Sequence, residues 1–153
     1  MTRLHVVHVL HSLAVGGTEN GVVNLIQALD GEVRHSVVSM TGSGPLAARL
    51  PSHVELSCLG KRPGLDLWAV ARMTRLFRRL RPDVVHSRNW GTFDAILAAR
   101  LARVPVVIHG EHGREADDPD GRLYQAMIDL AEKRLDKEGL AALLRDLASP
   151  AKS

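Results

Sequence analysis

The chain is poor in cysteine and aromatic residues, and it lacks long apolar runs. Cys58 is the single cysteine among 153 residues, which excludes an internal disulfide and a cysteine-based metal cluster within one chain. Aromatic residues make up 3% of the sequence and no recognised nucleic-acid-binding motif is present, so no nucleic-acid partner is expected. No stretch approaches the roughly 18 consecutive apolar residues of a membrane span, and the amino terminus shows no secretory signal. We therefore expect a cytoplasmic protein in which Cys58 is a buried thiol at a strand end.

Apolar runs of strand length alternate along the chain with segments of helical period. The predicted strands cover residues 4–10, 34–40, 54–59, 83–86 and 104–109, and the first predicted helix covers 17–29. This alternation is typical of an α/β fold, a parallel sheet covered by helices on both faces. Right-handed crossovers favour the strand order 3-2-1-4-5. The length suits one such domain over residues 1–115, followed by a loop and helical tail over 116–153.

A glycine pair, Gly16-Gly17, stands between the first predicted strand and the first predicted helix. Such a turn leaves room for a ligand to approach the backbone, and a helix amino terminus offers unpaired N–H groups to an anion. A Gly-Gly turn also serves to reverse the chain without binding anything. Glu19 falls in the first helical turn, where a carboxylate also stabilises the helix dipole.

Polar residues follow the fourth and fifth predicted strands. They comprise His86, Asn89 and Trp90 after the fourth strand and His109, Glu111 and His112 after the fifth. In a sheet of order 3-2-1-4-5 these loops meet the glycine turn at the crevice beyond the carboxyl ends of strands one and four. Histidine suits proton transfer and hydrogen bonding near neutral pH, so these segments are interpreted as functional. A zinc site on His109 and His112 is the alternative, although no HExxH arrangement is present.

Three common catalytic or nucleotide-binding motifs are absent. The glycine turn does not match G-x-G-x-x-G and no acidic residue ends the second strand, which disfavours a dinucleotide oxidoreductase. No P-loop and no G-x-S-x-G elbow occur either.

The positive charge is concentrated in one predicted helix. Its arginines over residues 72–81 are Arg72, Arg75, Arg78, Arg79 and Arg81. With Trp68, Met73 and Phe77 assigned to the apolar side, most of these arginines share the solvent face. A solvated face is the ordinary explanation, and peripheral contact with anionic lipid at the inner membrane face is the alternative.

Three segments together resemble the amino-terminal half of a family 4 retaining glycosyltransferase. They are Gly16-Gly17-Thr18-Glu19, residues 83–90 (DVVHSRNW) and residues 104–113 (VPVVIHGEHG). Their order and spacing match over roughly residues 4–115. The resemblance implies the GT-B arrangement, in which two Rossmann-like domains face each other across a cleft. The amino-terminal domain mainly receives the acceptor and the other holds most of the nucleotide-diphosphate sugar.

The resemblance also implies roles for individual residues. Gly16 and Gly17 match the turn whose backbone approaches the donor, and His112 matches the histidine that hydrogen-bonds the reacting sugar. Supporting or acceptor-side positions are Glu19, His86, Asn89, Trp90, His109 and Glu111. The implied donor is a UDP- or GDP-sugar, the acceptor is a glycan or a lipid-linked molecule, and no cofactor or metal is required.

The chain departs from the family pattern in one respect. Residues 116–153 are too few to form the second domain, and no E-x7-E signature occurs. We therefore expect half of an active site that is inactive until a second domain or subunit completes it. Self-association through an uncovered sheet face is a further expectation. The alternative function is a noncatalytic subunit that recruits a catalytic partner or docks to a membrane surface.

Overall fold

The computed structural model describes residues 3–64, 66–89 and 92–110, and these contain five strands and three α-helices. In chain order they are β1 (His5–Leu10), α1 (Gly17–Ala28), β2 (Arg34–Ser39), a 3-10 helix (Pro45–Arg49), β3 (Glu55–Cys58), α2 (Leu67–Leu80), β4 (Val84–Arg88), α3 (Phe93–Leu101) and β5 (Val106–Gly110). The helical tail predicted over 116–153 lies outside the described residues.

The strands form one parallel sheet in the order β3-β2-β1-β4-β5. The α/β fold class and the strand order predicted from the sequence are thereby confirmed. β1, β2, β4 and β5 each contain two adjacent valines, whose branched side chains favour strands. Each crossover in the described residues passes through a helical segment, which lets the connected strands run parallel. β4 extends two residues beyond its predicted end, so Ser87 and Arg88 lie within the strand.

Two apolar clusters cover the two faces of the sheet. One joins α2 and α3 to the sheet through Val7, Val9, Phe77 and Val85. The other joins α1 to the opposite face through Leu10, Val22, Ile26 and Val37. Because side chains alternate between faces along a strand, His8, His86 and Arg88 lie on the α1 face.

Two side chains lie in different surroundings from those predicted. Cys58 is exposed rather than buried, because β3 is an edge strand and Cys58 is its last residue. Trp68 is exposed as well, whereas Met73 and Phe77 of the same helix are buried in the core. The helix therefore turns Trp68 away from the apolar side to which the sequence assigned it.

The two ends of α2 are defined by local interactions. At its start the Asp66 side chain accepts a hydrogen bond from the Ala69 N–H at 3.0 Å, as an amino-terminal cap does. Hydrogen bonds from the backbone N–H groups of Arg62 and Ala69 lower the pKa of this carboxyl. At its end Arg81 adopts the left-handed conformation, with φ 48°, and Pro82 follows. None of the helices in the described ranges has the length and apolar character needed to cross a membrane.

Candidate active site at the carboxyl edge of the sheet

The carboxyl ends of β1, β4 and β5 lie side by side, and most of the described candidate residues stand at this edge. His86 pairs in register with His8 of β1 on one side and with Ile108 of β5 on the other. Ser87 pairs with His109 in the same way. The register therefore places the segments around residues 86 and 109 next to each other, although more than twenty residues separate them in sequence.

The glycine turn forms the amino terminus of α1. Gly16 is its extended N-cap residue and supplies no side-chain cap; its carbonyl accepts hydrogen bonds from the backbone N–H and side-chain amide of Asn20. A Cβ added at Gly17 would meet no atom within 4 Å, so the space beside Gly17 is open. Among the described residues, this helix start combines unpaired backbone N–H groups with room for a ligand.

The Glu19 carboxylate folds back over this turn. A Cβ built on Gly16 would overlap its Oε2 atom, so the carboxylate lies directly against Gly16. In this position the negative charge stabilises the positive end of the helix dipole. It also makes the Gly16 side of the turn a poor seat for phosphate, whereas Gly17 remains accessible.

The end of β4 contributes a cation to the α1 face. Two guanidinium nitrogens of Arg88 each lie 3.3 Å from a ring nitrogen of His86. A neutral imidazole has a single acceptor nitrogen, so one of these two contacts is a hydrogen bond at most. Burial lowers the pKa of Arg88, yet arginine remains protonated at neutral pH. The edge thus holds a partly desolvated positive charge near the α1 layer.

The turn after β4 is held in an unusual backbone conformation. Asn89 has φ 60°, a left-handed value that asparagine tolerates better than most residues. Its N–H donates to the Gly110 carbonyl at 2.9 Å, which continues the pairing with β5. The Thr92 hydroxyl lies 2.8 Å from the Arg88 carbonyl and 2.9 Å from the Asn89 carbonyl. Thr92 therefore fixes the turn on which the Asn89 side chain stands.

One buried acceptor in this turn has no hydrogen-bond donor in the described part of the chain. It is the Asn89 Oδ1 atom. A buried carbonyl oxygen without a donor costs on the order of 1–3 kcal/mol. Asn89 is thus suited to accept a hydrogen bond from a ligand hydroxyl.

On the opposite face of the sheet, Ser87 contacts His109. Its hydroxyl lies 2.8 Å from the His109 Nδ1 atom, and Ser87 is fully buried. This contact orients the imidazole ring on β5. The Ser87 hydroxyl is already engaged with His109, so Ser87 is a positioning residue.

A buried ion pair joins the loop after β3 to the start of α3. Lys61 Nζ lies 3.3 Å from Asp94 Oδ2, and both side chains are largely buried. Burial raises the pKa of Asp94, while the attraction of Lys61 opposes that rise. The pair fixes the start of α3, the helix that follows the turn at Asn89.

Buried histidines lie beside His86 in the sheet. His8 Nε2 lies 3.1 Å from His35 Nδ1, and the His8 and His86 ring centroids are 5.9 Å apart. Burial, with the nearby His35, His86 and Arg88, lowers the pKa of His8 to about 3. His5 and His35 have lowered pKa values, chiefly through burial as well. His8 is therefore neutral at physiological pH and forms part of the support for His86.

Six of the nine residues predicted for the site are described, and they lie at the carboxyl edge of the sheet, with His86 and His109 on opposite faces. Gly16, Gly17 and Glu19 form the start of α1, and His86, Asn89 and His109 stand at the ends of β4 and β5. Trp90, Glu111 and His112 lie outside the described residues, and their roles stay predictions.

Sequence reasoning missed Ser87 and Arg88 as contributors to the site. Both lie in the segment 83–90, but only the pairing of β4 with β5 shows that their side chains lie on opposite faces of the sheet. In the described ranges no cluster of three or more histidine, cysteine or acidic side chains could hold a metal ion. The His109 and His112 zinc alternative includes a residue outside those ranges.

The architecture defines the class of domain. A five-stranded parallel sheet of order 3-2-1-4-5, with helices on both faces and a glycine turn opening the first helix, is a Rossmann-like α/β domain. The family model for Glycosyltransferase Family 4 matches residues 15–144, and the chain belongs to this family. This confirms the family inferred from the sequence motifs. A comparison with curated proteins found no match.

Proposed function

We propose that this chain is the acceptor-side half of a retaining glycosyltransferase that uses a nucleotide-diphosphate sugar. The acceptor is a glycan or a lipid-linked molecule. The observation that carries the proposal is that, in a family 4 domain, the open helix start at Gly17 follows β1 at the same carboxyl edge of the sheet at which β4 and β5 end. Gly17 leaves space for the donor, and the adjoining strand ends supply polar groups.

The groups at this edge suit the two parts of the donor, its diphosphate and its sugar. The departing diphosphate gains negative charge as the bond between its oxygen and the anomeric carbon breaks. The backbone N–H groups at Gly17 and the guanidinium of Arg88 are suited to stabilise that charge. The Glu19 carboxylate and the Asn89 Oδ1 atom are acceptors, which suits them to hydrogen bonds from sugar hydroxyls.

Retention places the new bond on the face of the anomeric carbon from which the diphosphate leaves. The oxygen of the acceptor hydroxyl forms this bond and gives its proton to an oxygen of the diphosphate that departs from the same face. We assign His112 to hydrogen bonding with the donor sugar near the reacting carbon, on the strength of its position in the segment 104–113. Catalysis then rests on positioning and electrostatic stabilisation, which needs no metal ion. Most donor contacts require a second Rossmann-like domain, supplied by further chain or by a separate subunit.

The proposed activity is tested by providing a second domain. The chain is co-expressed with the carboxyl-terminal domain of a family 4 glycosyltransferase, and transfer from UDP- and GDP-sugars to mixed glycan acceptors is measured. We expect transfer with the pair and none with either half alone. His112→Ala is expected to lower kcat by about 100-fold or more, since a hydrogen bond aimed at a transition-state charge contributes on that order. An unchanged rate with a folded variant would refute the assignment of His112. Failure of every donor would favour a noncatalytic recruiting subunit.

The glycine turn has its own prediction. A Cβ at Gly17 meets no atom within 4 Å, so Gly17→Val is expected to fill the open space at the start of α1 and to weaken donor binding with little loss of stability. In the reconstituted enzyme the donor Kd should rise at least about tenfold, which corresponds to 1.4 kcal/mol. Gly21→Val is the matched control, because Gly21 lies one turn further along α1 and a Cβ added there also meets no atom within 4 Å. Equal donor affinity in both variants would show that the turn serves only to reverse the chain.

A further inference from the structure

An exposed apolar pair stands at the start of α2. Leu67 is 65% exposed and Trp68 is 76% exposed, although Met73, Phe77 and Leu80 of the same helix are buried. The apolar face of the helix is therefore fully used in the core. Leu67 and Trp68 are additional apolar surface, and an exposed tryptophan next to an exposed leucine is costly in water.

Trp68 lies on the same stripe of the helix as three arginines. Arg72, Arg75 and Arg79 follow it at spacings of four, seven and eleven residues, which return to one side of an α-helix. All three arginines are exposed, and Arg62 adds a further exposed cation before the helix. We call this set the α2 surface: Arg62, Leu67, Trp68, Arg72, Arg75 and Arg79.

The positive charge of the α2 surface is only partly neutralised. Arg79 is paired with Glu55, and Arg72 donates to the Leu59 carbonyl at 3.0 Å with Asp66 at 3.9 Å. The guanidinium of Arg75 forms no hydrogen bond or ion pair with any described residue. An excess of cations therefore surrounds the exposed tryptophan.

We propose that the α2 surface docks this domain onto membranes that contain anionic lipid. Arginines attract the negative headgroups, and tryptophan favours the boundary between headgroups and acyl chains. Leucine beside the tryptophan adds apolar area that has no use on a phosphate backbone, and this favours lipid over nucleic acid. The helix keeps its buried face in the core, so docking is peripheral. Leu67 and Trp68 enter the interface while the arginines lie on the headgroups.

The position of the α2 surface relates to the candidate site. α2 starts after the carboxyl end of β3, and the Lys61–Asp94 pair joins that loop to the start of α3. The Trp68 end of the helix therefore lies toward the edge of the sheet that carries the candidate site. Resting on the proposed function, this placement favours a lipid-linked acceptor over a free glycan. Docking itself is independent of that function.

Vesicle co-sedimentation of the full chain tests the proposal. Vesicles of phosphatidylcholine alone are compared with vesicles in which about 30% of the lipid is phosphatidylglycerol, which gives the surface a negative potential. Both are measured at low and at high salt. We expect binding to the anionic vesicles only, weakened by salt. Arg75→Glu should lower the partition coefficient about 30-fold, since each charge near an anionic surface contributes about fivefold and reversal removes two. Trp68→Ser should lower it about tenfold by removing the apolar contact.

The controls separate the α2 surface from net charge and from other polyanions. Arg49→Glu makes the same charge change on the 3-10 helix, which packs with α1 on the opposite face of the sheet, and should leave most binding intact. Circular dichroism confirms that the variants are folded. Negligible binding to both vesicles, or equal losses for Arg49→Glu and Arg75→Glu, would overturn the proposal. Duplex DNA binding that exceeds vesicle binding and ignores Trp68→Ser would assign the surface to nucleic acid instead.

Discussion

The domain is expected to lose much of its stability when the pH falls from 7 toward 4, because His8 is buried and neutral. Its pKa is lowered from 6.5 to about 3, chiefly by burial, with His35, His86 and Arg88 adding repulsion. The unfolded chain takes up a proton near pH 6.5, whereas the folded chain does not until about pH 3. The contribution of His8 to stability is therefore complete above pH 6.5 and is lost progressively as the pH falls toward 3.

The size of this effect follows from the pKa difference. At about 1.4 kcal/mol for each pKa unit, the neutral His8 ring accounts for on the order of 5 kcal/mol across the full range. The lowered pKa values of His5 and His35 act in the same direction. Urea unfolding at a series of pH values measures the slope directly, and we expect the free energy of unfolding to fall steadily below about pH 6.

A substitution of His8 distinguishes its contribution to the pH dependence of stability from that of the other titratable groups. His8→Leu removes the proton site and leaves His35 Nδ1 without its partner at 3.1 Å, so it should cost about 1–3 kcal/mol at pH 7.5 while flattening the acid slope. His11→Gln is the matched control, because His11 is exposed and its loss leaves the buried histidines unchanged. A His8→Leu slope equal to that of the unmodified chain would contradict the explanation.

Gly44→Ala should destabilise the domain strongly and displace the loop that leads to the glycine turn. An added Cβ would overlap the Leu13 carbonyl group and the Ala14 nitrogen, which are backbone atoms. They cannot swing aside as a flexible side chain can. Leu13 is fully buried, and its carbonyl also accepts from the Leu46 N–H at 3.1 Å, so the loop is tied on both sides.

Overpacking of this kind costs about 3 kcal/mol, which lowers Tm by roughly 6–12 °C in a domain of this size. Thermal unfolding followed by circular dichroism measures the change. Gly42→Ala is the control, since Gly42 lies in the same loop and its added Cβ meets no atom within 4 Å. Matching Tm values for the two variants would show that the Leu13–Ala14 backbone yields easily.

Gly44 also shows what the sequence does not reveal about a glycine. In the sequence, residues 41–45 are an ordinary turn-rich loop, and Gly42 and Gly44 are equivalent. The difference arises because the loop after β2 packs on the loop after β1, where Gly44 meets the Leu13 backbone and Gly42 meets open space. Contacts between segments thirty residues apart leave no local sequence signal.

The fold was largely predictable because its signals are local. Runs of apolar and β-branched residues marked the five strands, helical spacing marked the segments between them, and the handedness of crossovers selected the order 3-2-1-4-5. Strand ends were less certain, since pairing with a neighbour extends a strand beyond its apolar residues. β4 continues through Ser87 and Arg88 for that reason.

The sequence by itself determined the fold class and the family, because periodicity and motif order are properties of neighbouring residues. It also predicted the edge of the sheet at which the candidate site lies. The tertiary structure alone decided which side chains share a face. It set Arg88 beside His86 and Ser87 against His109, exposed Cys58 on an edge strand, and turned Trp68 out of the core toward the arginines. The physical reason is that strand register and helix rotation follow from the packing of the whole core, to which distant segments contribute together.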